Sequence, residues 1–318
     1  MNVMDIKKYI KLRLSSLTVV ALIPIVFFIG SAIAPWVFWL IKSVLLNLGY
    51  SDLLEKIPFS RVLNRCLLGS LILIVLLILK FIQLDSFEKI GLKVDWTTGH
   101  KLFLKGISLG IFTFSIIGIL EISLNYKTLK STLGISDLSL IMVKGIITGI
   151  VVSILEETIF RGIIYNALKK SWGMVRGLIL SSLIYSVVHF FKRPVVEGEI
   201  KWDSGFCALP GMLSGIFNYD ENGIAMINLI IIGGVLVLLY EATGNLWMSI
   251  GLHGGWVFCM KFYKVFSPVA NSSVHSLWFG NNIVDGLFTT ILLSNLIMFI
   301  ILFNKYLRKG ICARSNAM

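Results

Sequence analysis

Charged residues are scarce in this chain. They make up 14% of its 318 residues, whereas hydrophobic residues make up 56%. Soluble domains carry about 25% charged residues. The mean hydropathy is +0.86. This composition excludes an ordinary soluble domain and indicates a polytopic membrane protein that has the lipid bilayer as a partner.

Cysteine is scarce as well. Its four occurrences, Cys66, Cys207, Cys259 and Cys312, form no Cys-x-x-Cys pair. The sequence therefore offers no motif typical of a zinc finger or a thiol redox site. It also has no internal repeat and no low-complexity tract, so a single polytopic membrane domain over residues 1–318 is predicted.

The net charge of +12 raises the question of nucleic-acid binding. The basic residues, however, stand at the ends of hydrophobic runs and do not form one basic face. Membrane topology explains them, and no nucleic-acid partner is expected. The loops on the side of the two termini carry the excess of Lys and Arg. We therefore predict a multi-pass protein of the cell membrane with both termini in the cytoplasm.

Hydrophobic runs of about 20 residues predict an all-α fold with about eight transmembrane helices. We place these spans near residues 17–41, 63–81, 105–124, 138–168, 175–191, 224–242, 246–263 and 283–304. Ionisable residues inside spans four, five and seven predict an active site buried among these three helices.

Three ionisable side chains, Glu156, Glu157 and Arg161, lie inside the apolar fourth span. Each charge at the centre of a membrane helix costs about 2.5–3.5 kcal/mol on insertion scales, so all three must face protein, water or one another. Glu157 and Arg161 are four residues apart and can form an ion pair along the helix. Glu156 is rotated by about 100° from that pair, which leaves its carboxylate available for proton transfer.

Small residues precede this cluster at four-residue intervals, at Gly145, Gly149 and Ser153. A stripe of small side chains allows another helix to approach closely. The stripe leads directly to Glu157.

The chain has four histidines. His189 and His253 lie inside spans five and seven, and the depth of His189 matches that of Glu156, while the match of His253 is looser. His100 and His275 lie in polar loops, where a solvated imidazole is the default interpretation.

One carboxylate and two imidazoles allow two mechanisms. In the first, Glu156 is the general base for a water molecule, one histidine holds that water, and the other stabilises the oxyanion. In the second, Glu156, His189 and His253 bind a divalent metal such as zinc, which activates the water. No His-Glu-x-x-His helix is present, so the spacing alone does not decide between them.

These residues resemble the motifs of the CPBP family, the CAAX proteases and bacteriocin-processing enzymes that are also called the Abi family. Its Glu-Glu-x-x-x-Arg motif is similar to residues 156–161, its aromatic-x-x-x-His motif to Tyr185 and His189, and its third histidine to His253. The similar region covers residues 138–260. The resemblance implies an intramembrane endopeptidase acting on membrane-associated proteins or peptides. It also implies that Glu156, His189 and His253 are catalytic and that Glu157, Arg161 and Tyr185 support them.

One position departs from the family pattern. Many members have Asn or Asp four residues after the third-motif histidine, where this chain has Val257. Loss of one oxyanion donor costs about 10²–10³ in rate. This departure favours an alternative reading, a catalytically weak or inactive membrane interaction or immunity protein. A proton-coupled transporter that uses Glu156, Arg161 and His189 is a further alternative, although the sequence lacks the inverted repeats common in transporters.

Overall fold

The computed structural model describes residues 3–50, 52, 57–81, 88, 90–130, 134–192, 196, 198–268 and 276–315. The first half of the chain forms helices α1 (Val3–Asn47), α2 (Phe59–Phe81), α3 (Trp96–Ser123) and α4 (Ile135–Glu157), a π-helix (Thr158–Tyr165), and helices α5 (Asn166–Trp172) and α6 (Met174–His189). The second half forms α7 (Ser204–Cys207), α8 (Leu209–Phe217), α9 (Tyr219–Thr243), α10 (Trp247–Phe262), α11 (Ser276–Phe279) and α12 (Leu287–Ser315).

Two short strands, β1 (Lys127–Leu129) and β2 (Phe266–Pro268), pair in antiparallel fashion, with Lys127 opposite Pro268. The sequence analysis did not predict them. Each has three residues and directly follows a long helix or its terminal turn, which is too little chain for a pattern of alternating side chains to be recognised.

The protein is an all-α polytopic membrane protein, as predicted, and a helix lies at each of the eight predicted spans. Within the described residues, four helices are long and apolar enough to cross a membrane, namely Ile23–Asn47, Trp96–Ser123, Ile135–Trp172 and Tyr219–Thr243. Shorter apolar helices lie at Met174–His189, Ser204–Phe217 and Leu287–Phe303.

Contacts along the chain divide it into two compact units. The first comprises Met1–Asp85 and Val187–Asp220, and the second comprises Ser86–Ser186 and Glu221–Met318. The first unit has its own apolar core, in which Ala34 of α1, Leu63 of α2 and Met212 of α8 are buried.

In the second unit, α10 packs closely against α3 and α4 because glycines line both contacts. A Cβ atom on Gly106 or Gly110 of α3 would overlap the backbone of α10. On the other side, a Cβ on Gly149 of α4 would lie 2.7 Å from the carbonyl oxygen of Gly254. The small-residue stripe predicted for span four therefore faces a helix, and that helix carries His253.

The start of α10 is fixed by the segment that precedes α3. The backbone N–H of Leu246 donates to the carbonyl of Gly91 at 2.8 Å, and the indole of Trp247 donates to the carbonyl of Leu92 at 3.0 Å. Gly91 adopts a φ of 84°, a conformation that disfavours any side chain. These contacts hold the N-terminal end of α10.

Candidate active site

Glu156 and Glu157 lie where α4 changes into a π-helix. α4 ends at Glu157, and the wider turns of the π-helix run from Thr158 to Tyr165. Short π-helical segments inside α-helices are frequent at functional sites. Nothing in the sequence pattern of the fourth span predicted this change, because hydropathy and residue spacing do not distinguish a π-helix from an α-helix.

Glu157 forms the ion pair that its spacing from Arg161 predicts. The Arg161 Nη1 atom lies 2.9 Å from Glu157 Oε1, and both side chains are buried, with 1% and 0% exposed. The second guanidinium nitrogen, Nη2, donates to the carbonyl of Gly233 in α9 at 3.4 Å. Arg161 thus joins the π-helix to a neighbouring helix.

Glu157 also binds a residue 96 positions further along the chain, His253. Nδ1 of His253 lies 2.9 Å from Glu157 Oε1. An ionised carboxylate only accepts hydrogen bonds, so Nδ1 carries the proton in this contact. The other ring nitrogen, Nε2, is left facing away from Glu157.

Nε2 of His253 faces Glu156. It lies 3.7 Å from Glu156 Oε2, which is longer than a hydrogen bond. The imidazole and the carboxylate therefore border the same small volume. The Glu156 side chain is 26% exposed, in contrast to the fully buried Glu157. Glu156 is the more accessible of the two adjacent carboxylates.

Tyr185 completes this group from α6. Its ring is buried, and the guanidinium carbon of Arg161 lies 4.6 Å from the ring centre, within the range of a cation–π contact. The ring of Phe160 meets it edge-on at 5.0 Å, and that of His253 lies 6.3 Å away. Glu156, Glu157, Arg161, Tyr185 and His253 are thus brought together from three segments of the second unit.

The other three histidines are His189, His100 and His275. His189 ends α6 one turn after Tyr185, belongs to the first unit and has an exposed side chain. Its partnership with Glu156 stays a prediction. His100 is exposed near the start of α3 and stacks on Trp96 at 6.1 Å. His275 lies outside the described residues.

The metal ligands predicted from the sequence are only partly grouped among the described residues. Glu156 and His253 lie together, and Nε2 of His253 is not occupied by Glu157. In the part of the chain that the structure describes, however, no three His, Cys, Asp or Glu side chains form a group able to hold a metal ion. Two of the three predicted ligands, Glu156 and His253, thus lie together, and binding of a metal ion by these two with His189 stays a prediction.

The helix face beyond His253 is apolar. Val257 is 6% exposed and lies one turn after the histidine. Its neighbour Trp256 packs with its ring on Phe114 at 5.3 Å, and its indole N–H donates to Thr113 Oγ1 at 2.9 Å. Glu241 forms an ion pair with Lys169 at 2.6 Å. Glu241 therefore has its ion-pair partner, Lys169, outside the residues grouped around Glu156.

Sequence reasoning missed the contact between Glu157 and His253. The i,i+4 spacing assigned Glu157 to Arg161 alone, and spacing gives no information about partners on a distant helix. One signal was present: the small-residue stripe that ends at Glu157 and the glycines beside His253 both predict a close helix contact. Together they could have placed these two side chains opposite each other.

One comparison with known proteins found a family match. Residues 138–259 match the family described as type II CAAX prenyl endopeptidase Rce1-like. The matched region contains all the residues of the group described above and confirms the resemblance to the CPBP family of CAAX proteases. No curated protein and no solved structure matches the chain.

Proposed function

We propose that this chain is an intramembrane endopeptidase that hydrolyses peptide bonds of membrane-associated proteins or peptides. The premise is the match of residues 138–259 to the Rce1-like family. The family itself is one of CAAX-type membrane endopeptidases. The single observation that best supports the proposal is the 3.7 Å separation between Glu156 Oε2 and His253 Nε2, beside a fully buried Glu157.

In the proposed reaction, Glu156 accepts a proton from a water molecule. The water oxygen forms a bond to the carbonyl carbon of the substrate, and the carbonyl oxygen becomes an oxyanion. When the tetrahedral intermediate collapses, the C–N bond breaks and the leaving amine takes the proton from Glu156. His253 and His189 share the tasks of holding the water and stabilising the oxyanion.

The role proposed for Glu157 follows from its two contacts. By accepting the Nδ1 proton of His253 at 2.9 Å, it fixes the ring orientation and directs Nε2 toward Glu156. Arg161, at 2.9 Å from the same carboxylate, holds Glu157 in place through a charge-assisted hydrogen bond. Glu157 and Arg161 are thus positioning residues, and Glu156 is the base.

A cleavage assay tests the proposal. The purified chain in lipid vesicles is given a peptide library that includes farnesylated peptides ending in a CAAX sequence, in ¹⁸O-labelled water. We expect products with one ¹⁸O atom in the new carboxylate from the wild type and none from Glu156→Gln. Glu241→Gln is the matched control, because it also neutralises a partly buried glutamate and lies in a separate ion pair with Lys169. Equal cleavage by wild type and Glu156→Gln would contradict the proposal.

The metal ligand set Glu156, His189 and His253 is an alternative proposal for water activation. Elemental analysis of protein purified without added metal tests it. Stoichiometric zinc that is lost in His189→Ala would support it, whereas full cleavage activity in a strong chelator would contradict it.

A second candidate function is a membrane interaction or immunity protein that has lost turnover. Val257 favours it, because the turn after His253 carries no polar side chain there. In the assay above, this function predicts no labelled product from wild type or Glu156→Gln across the whole library.

The cellular placement that we propose is the cell membrane with both termini in the cytoplasm, because Lys and Arg are in excess on that side. Reporter fusions at each terminus test it. A fusion that is active only outside the cytoplasm would contradict this orientation.

A further inference from the structure

The π-helix that follows Glu157 ends at a residue with two side-chain contacts. Asn166 comes directly after the π-helix and begins α5. Its amide nitrogen donates to the carbonyl of Gly162, inside the π-helix, at 3.0 Å and to the hydroxyl of Tyr240, in α9, at 2.9 Å. Both N–H donors of this amide are therefore used, one within the helix and one toward a neighbouring helix.

The contact with Gly162 replaces a backbone hydrogen bond. In an α-helix, the backbone N–H of Asn166 would donate to the carbonyl four residues earlier, that of Gly162. Here it donates to the carbonyl of Ile163, three residues earlier. The side-chain amide supplies the bond to Gly162, so it stabilises the point at which the wider π-helical turns return to α-helix.

The contact with Tyr240 fixes the same point against α9. Arg161, inside the π-helix, donates to a carbonyl of α9 at 3.4 Å, and Lys169, in α5, forms its ion pair with α9 at 2.6 Å. Asn166 lies between these two residues. It is the residue at the end of the π-helix that binds α9, so its amide fixes the position of the last π-helical turn on that helix.

The π-helical turn determines which way the two glutamates face. Each such turn contains about one residue more than an α-helical turn, and one residue corresponds to a rotation of about 100°. Since Lys169 holds α5 on α9, a change of the segment to ordinary α-helix would rotate Glu156 and Glu157 instead. They would turn away from His253, which lies 3.7 Å from Glu156 and 2.9 Å from Glu157.

We propose that Asn166 is a positioning residue of this site: its side-chain amide preserves the π-helical turn and thereby keeps Glu156 and Glu157 facing His253. This inference rests on the proposed function. It assigns to Asn166 no contact with the substrate. A rotated Glu156 would spend less time in the geometry that accepts the proton of the attacking water.

Asn166→Leu tests the proposal, because it removes both donors, keeps a side chain of similar size and favours α-helix. We expect kcat to fall about 10-fold or more with KM within about twofold of the wild type. Tyr240→Phe, which removes only the accepting oxygen, should lower kcat by about threefold and provides the test if Asn166→Leu does not fold.

Asn295→Leu is the matched control. The amide of Asn295 also donates to the carbonyl four residues earlier, that of Ile291, at 2.8 Å, but it does so within the α-helix α12. Its kcat should stay within about twofold of the wild type. An unchanged kcat in both Asn166→Leu and Tyr240→Phe, or an equal loss in the control, would overturn the proposal.

A second readout does not depend on turnover. The ¹⁵N spectrum of protein labelled at its four histidines contains a His253 signal, which is identified by its loss in His253→Gln. Glu157 accepts the Nδ1 proton of this ring, so the wild type should show the Nδ1-protonated tautomer. We expect a mixture of tautomers in Asn166→Leu and no change in Asn295→Leu.

The two readouts separate this inference from the proposed function. An unchanged His253 signal in Asn166→Leu would overturn the inference even if peptide cleavage were established. A wild type that cleaves no peptide, with the expected change of the His253 signal in Asn166→Leu, would contradict the proposed function and support the placement of the glutamates by Asn166.

Discussion

Glu157 and Glu121 are both fully buried carboxylates in the same unit, and they are held in opposite ways. One oxygen of Glu157 binds Arg161 and His253, each at 2.9 Å. Neither oxygen of Glu121, near the end of α3, has a hydrogen-bond partner within the described part of the chain. Its charged neighbour is Lys127, which acts on it only through electrostatic attraction.

Lys127 contacts Asn281 and Tyr263. Its ammonium group donates to the carbonyl of Asn281 at 2.9 Å and lies 4.3 Å from the centre of the Tyr263 ring. The comparison shows that a buried carboxylate beside an opposite charge is not sufficient for a preorganised site. Directional contacts from two helices orient Glu157, and they also place an imidazole next to a second carboxylate.

The largest effect on stability is expected from Glu157→Gln. Removing one partner of a buried ion pair leaves Arg161 uncompensated, and the free energy of unfolding should fall by about 3–5 kcal/mol. Cleavage should fall about 100-fold, because His253 loses its fixed orientation. Thermal unfolding in detergent and single-turnover cleavage measure the two quantities.

The double variant Glu157→Gln/Arg161→Met is the control for this prediction. It removes both charges, so much of the stability should return while the activity stays low. If the Glu157→Gln protein had normal stability and normal cleavage, the contacts of Glu157 would matter no more than those of Glu121, which would contradict the prediction.

A smaller loss is expected from Gly110→Ala on α3, the helix that also carries Glu121. The added Cβ would overlap the carbonyl of Leu252, next to His253. We expect the free energy of unfolding to fall by about 1–3 kcal/mol. Cleavage should fall as well, because α10 is displaced relative to Glu157. Gly118→Ala is the control, since a Cβ there meets no atom within 4 Å. Equal effects of the two variants would show that close packing of α3 on α10 is unimportant for the site.

Glu121→Gln should have little effect. Within the described residues its carboxyl group makes no hydrogen bond that could be lost, and the free energy of unfolding should stay within about 1 kcal/mol of the wild type. Cleavage should stay within about twofold. A large loss of cleavage would show that the second buried carboxylate also contributes to the reaction.

The smallest effect is expected in the pH dependence of stability, to which Lys127 contributes. Burial lowers the pKa of the Lys127 ammonium from its ordinary value of 10.5, and the attraction of Glu121 opposes this only in part. The unfolded chain therefore binds more protons than the folded one between the lowered pKa and 10.5, and stability should rise with pH through that window. Lys127→Met should remove this increase in melting temperature. An identical pH dependence in both proteins would contradict it.

Much of the fold was predictable because its signal is local. Runs of about 20 apolar residues located a helix at each of the eight predicted spans. The boundaries were less accurate, since α3 begins at Trp96, nine residues before the predicted start at 105. Asp95 caps this helix by accepting from the backbone N–H of Thr98 at 2.9 Å. A cap of this kind extends a helix into polar sequence that hydropathy assigns to a loop.

The stretch between the predicted spans 175–191 and 224–242 contains helices α7 and α8. Its Gly and Pro residues concealed them, although Pro210 stands at the start of α8, where proline is tolerated.

The sequence was sufficient to propose residues for the candidate site. It was less informative about the contacts between them. Helical spacing was sufficient for Glu157 and Arg161, because both lie on one helix. The contacts of His253 and Tyr185 depend on how α10 and α6 pack against α4, which spacing within a helix does not encode. Glu121 was missed altogether, although it is an acidic residue in an apolar span and the rule that drew attention to Glu156 applies to it equally.

The central claim is that hydrolysis takes place at Glu156, beside the ordered Glu157 pair, and that the buried Glu121 has no part in it. It is tested most directly by single-turnover cleavage of one peptide by wild type, Glu156→Gln and Glu121→Gln in the same lipid. We expect Glu156→Gln to be slower by about 10³-fold or more and Glu121→Gln to match the wild type within about twofold. A Glu156→Gln protein that cleaves at the wild-type rate would contradict the account.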